Sequence, residues 1–103
     1  MEISEEIRRS LLDYQRNEIT EYHTYRRLAA TIPSSENRRV LEKIADDELR
    51  HYEQWRSYTR TDVAPDRWAV RKYCLLSRLL GFTFAVKLME LAEDKAQSSY
   101  EQL

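Results

Sequence analysis

Glutamate side chains recur at helical spacing in this chain, at positions where a helix would present its apolar face. In the first third of the sequence, alternating steps of four and three residues follow a stripe that is apolar at both ends and carries Glu18 and Glu21 at its centre. The members of this stripe are Ile7, Leu11, Tyr14, Glu18, Glu21, Tyr25, Leu28 and Ile32. The pattern predicts a helix that directs two ionisable groups toward the interior.

Two later stripes have the same composition. The second contains Leu41, Ile44, Glu48, His51, Trp55 and Tyr58. The third contains Leu79, Thr83, Val86, Glu90, Glu93, Gln97 and Tyr100. A spacing of three residues places the two ionisable members of each stripe on one helix face, within reach of the same ion. None of the three stripes contains a lysine or an arginine that could neutralise these carboxylates.

A metal ion is the simplest counter-charge for such an interior. An unpaired buried charge costs several kcal/mol, and without a basic partner only protonation or a bound cation relieves that cost. Carboxylate oxygens together with imidazole suit iron or manganese better than a metal that prefers thiolates. The ionisable members of the three stripes are therefore candidate metal ligands: Glu18, Glu21, Glu48, His51, Glu90 and Glu93.

Composition indicates which kind of fold positions these groups. The chain has 103 residues, which is about one small domain, and it contains 1 glycine and 2 prolines. A β-sandwich needs more turn residues, and a nucleotide-binding loop needs more glycines. Charged residues make up 34% and hydrophobic residues 42%, too apolar for a disordered chain and too charged for a membrane protein. We therefore expect one all-α domain over residues 1–103.

Cap and break residues predict the helix boundaries. The predicted segments are 4–31, 35–60 and 67–80, followed by a third core helix after a break at Gly81. The expected N-cap residues are Ser4, then Ser34 or Ser35, then Asp66. The first two helices should form an antiparallel hairpin because their connection is short. The segment 67–80 should cross over to the core helix that follows it.

Charge and hydropathy predict the partners and the compartment. The net charge is −1 and no basic stripe is present, which argues against nucleic acid as a partner. The N-terminus is acidic, and the longest uncharged stretch is the eight-residue segment 79–86, so we expect a cytoplasmic protein without a membrane segment. We interpret Cys74 as a small buried hydrophobe and His23 as a surface histidine. Three helices leave one apolar side uncovered, which predicts a homodimer or larger oligomer.

Several segments resemble a known group of proteins. These segments are Asn17–Glu21 with Tyr25, Asp47–Tyr52, Leu80–Phe84 and Met89–Glu93. Together they resemble the rubrerythrin branch of the ferritin-like superfamily, in particular the rubrerythrin-like domains that precede vacuolar-iron-transporter-type membrane domains. The resemblance covers nearly the whole chain. It implies a ferritin-like antiparallel bundle: a helix hairpin, a crossover and a third core helix.

The resemblance also implies a chemistry. It implies a non-haem site for two iron ions, with Glu18, Glu48, His51, Glu90 and Glu93 as the ligands. Glu21 fits the family pattern less well. Tyr25 would donate a hydrogen bond to a ligand carboxylate. The family's fourth helix, with a second Glu-x-x-His, would follow Leu103, so we expect either a longer protein or a second subunit that completes the bundle.

Three functions follow as hypotheses. The first is a ferroxidase or rubrerythrin-like oxidoreductase that oxidises Fe(II) with O₂ or peroxide in iron homeostasis. The second is an iron-binding storage or delivery module without turnover, as the transporter-linked relatives suggest. The third is a structural helical dimer that binds no metal. Metal binding and Fe(II) oxidation distinguish the three.

Overall fold

A computed structural model describes residues 4–81 together with positions 83, 87 and 90. Three helices account for most of this part of the chain, and no strand occurs among the described residues. Helix α1 spans Glu5–Thr31, α2 spans Ser35–Thr59 and α3 spans Arg67–Leu80. The all-α fold class is therefore confirmed. Positions 83, 87 and 90 of the predicted third core helix are described and are helical, whereas Glu93 lies outside the described residues.

Side-chain caps begin each helix where the sequence predicts them. The Ser4 hydroxyl accepts a hydrogen bond of 3.2 Å from the Ile7 backbone N–H at the start of α1. Ser34 does the same for α2, accepting a bond of 3.3 Å from Asn37. Asp66 caps α3 with a bond of 3.1 Å to the third residue of that helix. Each cap satisfies one of the backbone donors that a helix start leaves unpaired.

The ends of α2 and α3 depend on unusual backbone angles. Arg60 terminates α2 in the left-handed conformation, with φ at 54°. Gly81 terminates α3 with φ at 94°, a conformation that residues with a Cβ atom rarely adopt. The only glycine of the chain therefore lies where the continuous helical pattern must stop, and the predicted break at Gly81 is confirmed.

Helices α1 and α2 form an antiparallel hairpin, as predicted. Contacts join the start of α1 to the end of α2, where the Arg8 guanidinium donates to the Thr59 carbonyl at 3.3 Å. At the opposite end, Arg38 donates to the Ile32 carbonyl at 3.0 Å. The apolar core lies toward that second end and consists of Tyr25, Leu28, Ala29, Ile32, Leu41 and Ala45.

Helix α3 packs against α1. Val70 is its buried residue, and Tyr73 and Cys74 pack against the edge of the core. The loop before α3 is tied to both other helices. The Asp66 backbone N–H donates to the Thr20 hydroxyl at 2.8 Å, and the Val63 N–H donates to the Tyr52 hydroxyl at 2.9 Å. These two bonds determine where α3 begins relative to α1.

Some predicted inward residues are exposed. Ile7 is 48% exposed and Tyr58 is 54% exposed, so their assignment to the interior stripes is wrong. Both residues lie at the open end of the hairpin, in the first turn of α1 and the last turn of α2, where little chain remains to cover them. Trp68 on α3 is also exposed, at 73%. Among the described residues, no helix has the length and apolar character needed to cross a membrane.

Candidate metal centre

Helices α1 and α2 bring three of the six candidate ligands together. Glu18 on α1 faces Glu48 and His51 on α2, and each offers a ligand atom within 4.8 Å of the other two. Glu48 and His51 are three residues apart, so they project from the same face of α2. The mid-helix positions that the periodicity predicts to be inward therefore meet across the hairpin.

One pair of donor atoms lies near the separation that a shared ion requires. His51 Nδ1 lies 3.5 Å from Glu18 Oε2. Two donors that are each roughly 2.1 Å from one ion stand about 3.0 to 3.4 Å apart at octahedral or tetrahedral angles. The Glu18–His51 pair is therefore already close to a chelating separation. Small rotations about the side-chain bonds would be enough to adjust it.

Burial differs across the cluster. Glu18 is 8% exposed and Glu48 is 7% exposed, whereas the His51 side chain is 50% exposed. The carboxylates consequently sit inside the hairpin, and the imidazole forms the boundary with solvent. An ion could exchange between this cluster and water on the imidazole side.

The Glu48 carboxylate contains a buried oxygen atom without a hydrogen-bond partner among the described residues. Its Oε2 atom is buried and accepts no hydrogen bond from the described part of the chain. No ion pair between described residues joins Glu48 to a lysine or an arginine. A buried carboxylate in this position carries a desolvation cost that only a proton or a cation offsets. The Glu48 site therefore has the chemistry of a cation ligand.

The donor set fits a borderline transition metal. Two carboxylates and one imidazole favour iron, manganese or zinc over a soft thiophilic ion, and no thiol belongs to the cluster. The charge of two carboxylates also balances that of one divalent ion. The residues present therefore fit the type of metal that the sequence predicts.

The remaining candidate residues have other surroundings. Glu21 is half-buried and lies outside the three-residue group, and Glu90 is exposed. Glu93 lies outside the described residues. Tyr25 is 4% exposed and belongs to the apolar core. Its hydrogen bond to a ligand carboxylate stays a prediction.

An aromatic pair and a buried amide lie about one helical turn from Glu18 and His51, toward the open end of the hairpin. The rings of Tyr14 and Trp55 stack with centroids 5.3 Å apart. Next to them, the Gln15 side-chain amide is fully buried, and it donates to the Thr61 carbonyl at 2.8 Å and accepts from the Thr59 hydroxyl. Sequence reasoning missed Gln15 because it lies beside the inward stripe and its partners are more than 40 positions away.

Sequence reasoning also missed a group of basic residues at the junction of α1 and α3. His23 is exposed, as predicted, but it borders a cavity together with arginines from both helices. Burial lowers the pKa of His23 below its ordinary value, and the nearby charges of Arg27 and Arg67 lower it further. The i, i+4 spacing of these residues was the available signal, but it carries little information without the packing of α3.

Comparison of this chain with known protein families, with curated proteins and with solved structures finds no match. The likeness to rubrerythrin-type domains therefore depends on the residues and spacings quoted above. The geometry of Glu18, Glu48 and His51 is an independent observation, because it comes from the packing of α1 on α2.

Proposed function

We propose that this chain binds iron through Glu18, Glu48 and His51 and oxidises Fe(II) with O₂ or peroxide. The observation that carries the proposal is the buried Oε2 atom of Glu48, which lies in a cluster with a second buried carboxylate and an imidazole. Manganese is the alternative metal. The rubrerythrin-type resemblance supports iron and the oxidative chemistry.

The chain's own residues would have distinct roles. The two carboxylates supply negative charge that favours Fe(III) over Fe(II), because the ion gains one positive charge on oxidation. The imidazole binds as a neutral donor and separates the carboxylates from bulk water. As a substrate, each Fe(II) gives one electron, and the oxidant takes up these electrons with protons to form peroxide or water.

Three donors are too few for two metal ions. A two-iron site needs further ligands, which Glu90 and Glu93 or a second copy of the chain would supply. We favour a homodimer in which each chain contributes one set of Glu18, Glu48 and His51. The test is the metal content per chain measured together with the oligomer size by light scattering. One metal per chain in a dimer supports the shared site, and a monomer with two metals contradicts it.

The principal test is Fe(II) oxidation in air, followed by near-UV absorbance. We expect oxidation above the buffer rate in the unmodified chain and loss of that excess in Glu48→Gln and His51→Ala. Glu53→Gln is the matched control, because Glu53 is an exposed glutamate on the same helix. Oxidation at the buffer rate in the unmodified chain, or equal rates in all variants, contradicts the proposal.

A second candidate function is iron capture and delivery without turnover. The half-exposed His51 side chain favours it, since an ion held at the boundary with solvent can be released to another protein. Anaerobic titration with Fe(II) separates the two functions. Saturable binding without faster oxidation in air supports delivery, and binding with faster oxidation supports turnover.

The metal-free structural dimer makes the opposite prediction. A ligand that binds only the folded state must raise the free energy of unfolding. If the melting temperature does not change with Fe(II), Mn(II) or Zn(II), neither metal-binding function stands.

A further inference from the structure

A cavity of about 310 Å³ lies where the start of α3 packs against α1. Its lining consists of His23, Arg27, Pro65, Arg67, Val70 and Arg71. Three of these six side chains are guanidinium groups and none is a carboxylate. The volume is at the lower end of the range of about 300 to 1,000 Å³ that small-molecule sites occupy.

Two helices supply the basic side chains in matched pairs. His23 and Arg27 are four residues apart on α1, and Arg67 and Arg71 are four residues apart on α3. Residues at this spacing share one helix face, so both pairs face the same space. Val70, which is 4% exposed, lies between the two α3 arginines in sequence and anchors α3 at this position. The bond from the Asp66 N–H to Thr20 also holds the start of α3 against α1.

Within the described part of the chain, no ion pair engages an arginine of this cavity. The ion pairs there join Arg50 to Asp47, His51 to Glu18 and Arg56 to Asp62, so none involves the three cavity arginines. The nearby carboxylate of Asp66 is engaged in capping α3. The three arginines are exposed, so solvent screens their mutual repulsion, and an anion placed between them would be attracted by all three.

We propose that this cavity binds a phosphate group, as free phosphate or as the phosphate of a small monoester. The planar guanidinium fork matches the oxygen geometry of phosphate, and several arginines together offset its charge of about −1.5 to −2. A single carboxylate would leave most of the arginine charge uncompensated.

The first measurement is calorimetric titration of the full chain with inorganic phosphate, after chelator treatment and at constant ionic strength. Chelator treatment keeps iron from capturing the phosphate. We expect saturable binding, and a melting temperature that rises with phosphate but not with chloride at equal ionic strength. The absence of saturable binding at millimolar phosphate overturns the proposal.

Substitutions then locate the site. Arg27→Gln and Arg71→Gln should each weaken phosphate binding roughly tenfold or more, because each removes charge-assisted hydrogen bonds. Arg39→Gln is the matched control, since Arg39 is an exposed arginine on α2 away from the cavity. Arg71→Lys keeps the charge and the fold but loses the guanidinium fork, so it should weaken binding by a smaller factor. Unchanged affinity in Arg27→Gln and Arg71→Gln overturns the proposal, as does an equal loss in Arg39→Gln.

Discussion

The α1–α2 hairpin contains two buried polar levels, one around Gln15 and one around Glu48. They differ in whether the buried polar atoms have hydrogen-bond partners. At one level the Gln15 amide is 0% exposed, and both its ends bond to Thr59 and Thr61. At the other level Glu48 is 7% exposed, and its Oε2 atom accepts no hydrogen bond from the described residues. Both side chains are buried, but only the Gln15 side chain has a hydrogen-bond partner for each of its polar atoms among the described residues.

The chemistry of the two side chains explains the difference. An amide offers donors and an acceptor, so the chain leaving α2 can satisfy it with one carbonyl and one hydroxyl. An ionised carboxylate only accepts, and it also carries a charge that neutral donors do not cancel. A closed polar network, in which every buried donor and acceptor is paired, as around Gln15, stabilises one arrangement of the helices. A buried acceptor without a partner, as in Glu48, has the properties of a binding site.

Breaking the Gln15 network should have the largest effect. Gln15→Ala leaves the buried Thr59 hydroxyl and the half-buried Thr61 carbonyl without their bonds and opens a small cavity, so we expect a loss of about 2 to 4 kcal/mol in unfolding free energy. Urea denaturation with and without Fe(II) measures it, and the loss should be the same in both conditions. Gln54→Ala, at an exposed glutamine on α2, should change stability by less than about 0.5 kcal/mol. A metal-dependent loss in Gln15→Ala would contradict the distinction between the two levels.

Glu48→Gln should have an effect that changes sign with metal. Without metal the variant removes a buried charge and keeps the shape, so we expect a higher melting temperature than in the unmodified chain. With Fe(II) at one hundred times Kd, the unmodified chain gains about 2.7 kcal/mol, and the variant should lose this gain. Thermal unfolding in anaerobic buffer measures both terms, with Glu53→Gln as the control. A variant that is less stable without metal would show that the Glu48 charge is already compensated within the chain.

Arg8 lies at the edge of the closed network and should matter less. Its guanidinium donates to the Thr59 carbonyl at 3.3 Å and to the Thr61 hydroxyl at 2.7 Å, from a partly buried position. Arg8→Gln should therefore cost about 1 kcal/mol in urea denaturation. The adjacent exposed residue provides the control, and Arg9→Gln should be close to neutral. Equal effects of the two substitutions would exclude a contribution of Arg8 to the network.

We expect the smallest effect on stability from the protonation of His23, which lies outside both polar levels. Because burial, Arg27 and Arg67 lower its pKa below the ordinary value of about 6.5, the folded chain binds this proton less readily than the unfolded chain. Folding stability is therefore independent of this group well above pH 6.5, and it decreases as the pH falls from 6.5 through the lower pKa of the folded chain. NMR titration should give a pKa below 6.5, and Arg27→Gln should move it upward. A His23 pKa at or above 6.5 would contradict this environment.

Much of the hairpin could be predicted from local sequence. The N-caps Ser4 and Asp66 and the break at Gly81 depend on side-chain or backbone chemistry within a few residues, so the structure reproduces them. The exceptions, Ile7 and Tyr58, follow the periodicity but lie at the open end of the hairpin. Periodicity predicts the direction of a side chain and does not predict whether the neighbouring helix extends far enough to cover it.

The helical repeat by itself determined that Glu18 and Glu48 face inward and that His51 shares the face of α2 with Glu48, because 3.6 residues per turn sets the angle of each side chain around its helix. Only the packing of α1 on α2 decided that these three meet, while Glu21 stays outside the group and Glu90 is exposed. Contact across helices depends on the axial register and the crossing geometry of the pair, and a repeat along one helix contains neither.

The arginine cavity could be predicted from the sequence even less well than the metal cluster. Arg27 is 40 positions before Arg67 in the chain, and each alone has the character of an ordinary exposed basic residue. The loop bond between Asp66 and Thr20 and the burial of Val70 place α3 so that these arginines share one space. Charge type is a property of the sequence, but the concentration of like charge in one cavity arises only when separate helices pack.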